Sequence, residues 1–227
     1  MAEFLCSNAY FGIMMTLTAF VAGKAIQNKW KNPLCNPILI ATWIVMAILL
    51  CSGLSVESYQ ASCAPLQYLL TPATICYAIS LHAQMVKLKK NLAAILAGVT
   101  CGTVVSIFSI RLMCGVLGMD RILTVSLLPK SVTTAIGMPL SDEAGGIAAL
   151  TTAAIILTGI MGNVFGSIFF KVFRIKDPIA QGVSLGTASH AIGTSKAAEI
   201  SSLTGAVSSL SLTLAGLLTV AIYSFFV

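Results

Sequence analysis

Gly186-Thr187-Ala188-Ser189-His190-Ala191-Ile192-Gly193-Thr194-Ser195-Lys196 follows the long apolar run Ala144 to Phe170 and leads into another, Ile200 to Val227. Its neighbours are long enough to cross a bilayer, which takes about 18 or more mostly apolar residues. The stretch itself is too crowded with Gly, hydroxyls and a His to face lipid. Glycine lets the backbone come close to a neighbour or a ligand, and Thr187, Ser189 and Thr194 supply hydroxyls that can hydrogen-bond it. His190 can exchange a proton near neutral pH, although a packing role inside a bundle is the plainer alternative. The stretch predicts a broken or re-entrant element inside a helical membrane protein.

The rest of the chain supports that solvent. Hydrophobic residues make up 57% of it and charged residues only 9%, against roughly 25% charged in a soluble domain. Despite a net charge of +6, so few charges exclude a nucleic-acid binder. Charges cut the sequence into six candidate spans: Phe4 to Gly23, Asn32 to Val56, Ser58 to Val86, Asn91 to Ile110, Ala144 to Phe170 and Ile200 to Val227. A second region, Leu112 to Ser141, is also too polar to span freely, being cut by Asp120, Arg121 and Lys130. Lys24, Lys29 and Lys31, then Lys87, Lys89 and Lys90, then Lys171, Arg174 and Lys176 fall on alternate connections. The positive-inside rule puts these loops in the cytoplasm and both termini outside. The first run lacks a basic leader and a cleavage site, so it is expected to be retained.

Shifting the chain by about 61 residues aligns Asn91 to Phe108 with Thr152 to Phe169, matching Ala93/Ala154, Gly98/Gly159, Ser106/Ser167 and Phe108/Phe169 among others. Membrane helices share a small alphabet, so the matches alone do not decide. Each helix also follows a Pro-containing, Thr-rich piece, Leu70-Thr71-Pro72-Ala73-Thr74 and Leu128-Pro129-Lys130-Ser131-Val132-Thr133-Thr134. The charge pattern runs the two copies, 58–110 and 122–172, in opposite directions. Inverted repeats with interrupted helices are the architecture of many secondary transporters.

Proline removes a backbone donor and turns the preceding residue away from helix, so both pieces should break helices within the membrane. Thr74 follows one break, and Ser131, Thr133 and Thr134 follow the other. A helix starting there offers free N–H groups and a positive dipole end to a carboxylate. Lys130 stands at the second start, unless it only snorkels to an interface. Asn163, in mid-span, must face protein or water. Lys196 and Glu199 are spaced to pair on a helix face, and Asp142 and Glu143 suit a solvated loop. The seven cysteines show no metal-ligand or disulfide spacing and are expected to be packing residues. No nucleophile–base set, nucleotide loop or metal motif is visible, so neither an enzyme nor a cofactor nor a metal is expected.

Leu128 to Thr134, Leu157-Thr158-Gly159-Ile160-Met161-Gly162-Asn163-Val164-Phe165-Gly166, and Arg174 to Ala180 leading into Leu185 to Thr194 together resemble the LrgB/CidB family of bacterial membrane proteins. The chain departs from the family pattern at Thr71, Ala135 and Ala191. The resemblance implies one of two activities. Family members are modulators of murein hydrolase activity and autolysis, acting with a holin-like LrgA or CidA partner; the plastid member is a glycolate/glycerate translocator, and bacterial members are linked to pyruvate uptake.

The expectation is an all-α, polytopic protein of the bacterial cytoplasmic membrane, a single domain over 1–227, with six full spans, two broken or re-entrant elements and an inverted repeat. It is expected to bind a small organic anion of the monocarboxylate class, with proton coupling, a holin-like subunit and a homo-oligomer left open. Thr74, Lys130, Ser131, Thr133 and Thr134 would receive the anion. Asn163, Thr187, Ser189, His190 and Thr194 would complete the site.

Overall fold

The computed structural model describes residues 9–30, 37–69, 72, 75 and 82–227. These form helices and turns, with no strand among the described residues. The chain divides into two units, 1–76 and 77–227.

In the first unit, α1 (Ala9–Trp30) packs against α2 (Pro37–Ser52) and the short helices α3 (Val56–Ser62) and α4 (Ala64–Gln67). Small residues set the approach. Gly12 faces Ser62, and Gly23 lies against the backbone of Pro37, where a methyl would come within 2.6 Å of the Pro37 carbonyl oxygen. Thr16 joins α1 to α3 through a 2.8 Å hydrogen bond with the Tyr59 hydroxyl. No residue of α2 is buried in this unit, so its apolar side chains need lipid or another apolar surface.

The second unit carries α5 (Met85–Lys90), α6 (Leu92–Val116), α7 (Arg121–Leu127), α8 (Thr134–Glu143), α9 (Ala148–Val172), α10 (Pro178–Ile200) and α11 (Ser202–Tyr223). Local chemistry punctuates them. The Asp120 carboxylate caps α7, accepting from the Leu123 N–H at 2.7 Å. Asp177 does the same for α10, with Pro178 at its first turn, and Ser201 caps α11. Gly118, at φ 64°, closes α6 while the Met119 N–H reaches back to the Cys114 carbonyl, a turn that a residue with a side chain would enter with strain.

The core of this unit lies where α6, α10 and α11 meet. Ile95 and Val99 of α6 pack with Val207 and Ala215 of α11. Glycines bring α10 and α11 together: Gly182 sits against the Thr204 carbonyl and Val207, and Gly186 sits against Ser208. A second cluster joins Ile107, Val125, Leu128 and Tyr223, and the Tyr223 hydroxyl donates to the Val125 carbonyl at 3.0 Å. The opposite faces of α6 and α9 leave Leu96, Val105, Phe108, Leu157, Met161 and Phe169 exposed. So many large apolar side chains on neighbouring turns suit hydrocarbon, not water.

Leu92–Val116, Ala148–Val172 and Ser202–Tyr223 are long and apolar enough to cross a membrane, which bears out three of the six expected spans. The other three are not established as full spans. Phe4 to Gly23 overlaps α1, which runs on past Lys24 and Lys29. Asn32 to Val56 holds α2, whose 16 residues fall short of a full crossing. Ser58 to Val86 is not one helix among the described residues: α3 ends at Ser62, and Pro65 lies in the first turn of α4. Proline at that position starts a new helix more readily than it continues an old one.

Candidate functional site

Both polar regions singled out in the sequence are broken helices. After α7, whose C-cap Leu128 keeps helical φ/ψ, residues 129–133 leave the helix and α8 restarts at Thr134, with Thr133 extended at its N-cap. Pro129 supplies no N–H to continue the first helix. The break is not a surface loop, for Leu128 and Pro129 are fully buried and Ser131 and Val132 nearly so. Helix α10 is interrupted near its centre, at Ser189 (φ −131°, ψ 17°) and His190 (φ 42°, ψ −137°). A left-handed φ at a residue other than glycine is strained and persists only where its surroundings hold it.

At the second break those surroundings are explicit. The His190 ring nitrogen Nε2 lies 2.9 Å from the Ile155 carbonyl. The Asn163 amide donates to the Ile192 carbonyl at 3.0 Å. The Thr194 hydroxyl donates to the His190 carbonyl at 2.9 Å and lies 2.9 Å from the Ser208 hydroxyl. Helix α9 comes close enough for this because Gly159 and Gly162 face the His190 ring and Ser189, where a side chain would collide. His190, Asn163, Thr194 and Ser189 are all buried. They form a sealed polar seam between α9, α10 and α11.

The first break opens onto space. A groove of about 720 Å³ runs between α6 and the first half of α10, lined on α6 by Ala94, Gly98, Gly102 and Ser106. Asn91 and Asp177 stand at one end, Lys130 and Ser131 at the other. The small residues on α6 recur every four positions and so share one helix face. Ser106 lies roughly 21 Å along α6 at 1.5 Å per residue, a little past its middle. There its hydroxyl is 2.9 Å from that of Ser131, to which Lys130 Nζ donates at 3.2 Å. Thr187, two residues before the α10 break, packs its methyl against Gly102 and lines the same end of the groove. Among the described residues no carboxylate lies within ion-pair distance of Lys130; the pair found there is Lys196 with Glu199, at 2.8 Å on the outside of α10.

The expected site residues thus part into two sets. Lys130, Ser131 and Thr187 converge at the end of the groove, together with Ser106, a residue that sequence reasoning used only as a repeat match. Asn163, Ser189, His190 and Thr194 lie in the sealed seam. Thr133 and Thr134 are half-buried at the start of α8 and do not line the groove. Thr74 and most of its Pro-containing piece lie outside the described residues. Asp142 and Glu143 are exposed at the end of α8. The four-residue spacing Ala94, Gly98, Gly102, Ser106 was the available signal for the groove wall.

A helical, membrane-compatible chain with two discontinuous helices, one ending in a cation-bearing groove, defines the class. The LrgB-like family model matches residues 16–227. The chain is 34% identical over 218 residues to the antiholin-like proteins LrgB of Bacillus mycoides and Bacillus cereus, covering 96% of this chain and 95% of each relative. The same holds for the antiholin-like protein LrgB of Bacillus anthracis. No solved structure matches the chain. This chain belongs to the LrgB-like family.

Proposed function

We propose that this chain carries a small organic anion of the monocarboxylate class, such as pyruvate or glycolate, across the bacterial cytoplasmic membrane. The observation that carries the reading is Lys130, a cation with no carboxylate partner among the described residues, held at the end of a groove beside the hydroxyls of Ser131, Ser106 and Thr187. A charged side chain placed at mid-membrane costs about 2.5–3.5 kcal/mol even by the milder scales, so it marks a functional pathway by default. A carboxylate about 4 Å from the ammonium gains about 4 kcal/mol in a partly buried setting, set against the desolvation of both charges. The hydroxyls complete the shell that the anion leaves behind in water.

The basic loops suit the cytoplasm. Asn91 follows Lys87, Lys89 and Lys90, and Asp177 follows Lys171, Arg174 and Lys176, so the groove opens inward and ends near mid-membrane. Two broken helices flanking a mid-depth site fit the architecture of secondary carriers with inverted repeats, in which helix ends face the substrate. The chain carries its solute chemically unchanged. The test is uptake of radiolabelled pyruvate and glycolate by proteoliposomes of the purified protein, with and without a pH gradient. Saturable uptake supports a carrier, and its dependence on the gradient reads proton coupling.

A second reading is favoured by the names of the relatives: an antiholin-like component that binds a holin-type partner of the LrgA kind and restrains autolysis without moving solute. Vesicles with verified insertion that take up neither acid, with or without a holin-like partner, would support it.

A further inference from the structure

Buried threonines inside these helices are satisfied locally, Thr204 by the Ser201 hydroxyl and others by their own helix backbone. Thr16, Thr124, Thr151, Thr194 and Thr219 each donate their hydroxyl to the carbonyl four residues back, the usual way a buried helical hydroxyl is satisfied. Thr103 on α6 and Thr187 on α10 do not. Their hydroxyl oxygens are buried without a hydrogen-bond partner, and among the described residues they are the side-chain atoms in that condition. Both residues are more than nine-tenths buried. Neither position is forced on the chain by a lack of carbonyls, since each sits in a regular stretch of helix.

The two exceptions share a location. Thr103 and Thr187 line one small chamber of about 10 Å³, together with Ser106, Ser131 and Thr219. It lies behind the end of the groove, sharing Ser106, Ser131 and Thr187 with it. A space of about 10–15 Å³ admits one water molecule, which is stable when it finds two to four polar partners. The nearby ammonium of Lys130, hydrogen-bonded to Ser131, opposes a metal cation in the same place.

We propose that this chamber holds a single ordered water shared by the hydroxyls of Thr103 and Thr187. The water ties α6 and α10 to the 128–133 break, so that Thr103 and Thr187 act as positioning residues for Ser131 and, through it, for Lys130. The inference holds whether or not the chain carries a solute, because it is read from folding and not from uptake.

The test is a double-mutant cycle on the full-length protein in lipid nanodiscs, with Tm as the readout in choline chloride. T103V and T187V each lower Tm by about 2–4 °C, and the double variant falls no further than the worse single one, because one water serves both groups. T103S and T187S keep the hydroxyl but lose a buried methyl, so each also lowers Tm by about 2–4 °C, and unlike the valine losses these add in the double variant because the water keeps both partners. Valine variants that match or exceed the parent Tm, or valine losses that add, overturn the proposal, since dry and independent hydroxyls behave in that way. A rise in Tm on replacing choline by sodium that T103V abolishes also overturns it, by putting a cation in the chamber. Should the valine variants not insert, high-resolution density of the parent protein decides: a peak within hydrogen-bond distance of both threonine hydroxyls supports the water, and a chamber without one overturns it.

Discussion

The two broken helices of the second unit are built from similar residues and end in opposite conditions. At Ser189–His190 the strained backbone is surrounded by its own partners: the Ile155 carbonyl holds the His190 ring, Asn163 reaches the Ile192 carbonyl, and Thr194 closes onto His190 and Ser208. At 128–133 the apolar residues Leu128, Pro129 and Val132 are buried, while Lys130 and Ser131 face a groove. The difference lies in what packs opposite. Helix α9 presents Gly159 and Gly162 to the Ser189–His190 break and closes on it. Helix α6 meets the 128–133 break at Ser106 and Ile107, leaving the space along Ala94, Gly98 and Gly102 open. One break is held shut by satisfied hydrogen bonds, and the other keeps a charge available.

The sharpest way to break this contrast is at the glycine that permits the closed seam. Gly162→Ala places a methyl on the Ser189 side chain. Overpacking of that kind is expected to lower stability by about 3 kcal/mol, a Tm loss of about 6–12 °C in a chain of this size, read by thermal unfolding in detergent or nanodiscs. A Tm unchanged from the parent would show that α9 can retreat and that the seam is not closed by packing.

Lys130→Met tests the open break. Uptake of a monocarboxylate is expected to fall about 50- to 100-fold, equivalent to about 2.5 kcal/mol, with Tm within about 2 °C of the parent because the ammonium's described partner is a single hydroxyl. A variant that transports normally would remove Lys130 from the site, and one that unfolds would make it a structural residue.

His190→Ala should do the reverse. Losing the ring leaves the Ile155 carbonyl without that partner and opens space beside α9, costing about 2 kcal/mol. At a temperature where the variant is folded, its substrate affinity should match the parent. A large loss of affinity with an unchanged Tm would move His190 from the seam into the binding site. The smallest effect belongs to Lys196→Met. It breaks the Lys196–Glu199 pair, whose Glu199 side chain is well exposed, and should change stability by no more than about 0.5 kcal/mol.

Much of this was legible in the residues. The break at Leu128-Pro129 follows from a missing donor, and the break within Gly186 to Lys196 was foreshadowed by polarity that lipid does not tolerate. The bland pairing of Lys196 with Glu199 was read from spacing alone. The division of the candidate site was not legible. Thr187, Ser189, His190 and Thr194 share one short stretch, yet Thr187 borders the groove while the other three enter the seam. Successive helical residues point in different directions, about 100° apart, and a break re-aims everything after it. The run from Ser58 to Val86 is not one helix among the described residues for a related reason: apolar composition does not register that Pro65 restarts the helix.

Sequence by itself determined the solvent, the helical class, the two stretches in which the described breaks fall and the family, because these depend on composition, on local backbone chemistry and on motifs that are contiguous in the chain. Which polar side chains are consumed by the fold, and which remain to meet a ligand, was decided only by tertiary structure. A hydroxyl, an amide or an imidazole is chemically the same in either role. Its availability depends on whether a carbonyl from another helix arrives within about 3 Å, and that is set by where the glycines let helices approach.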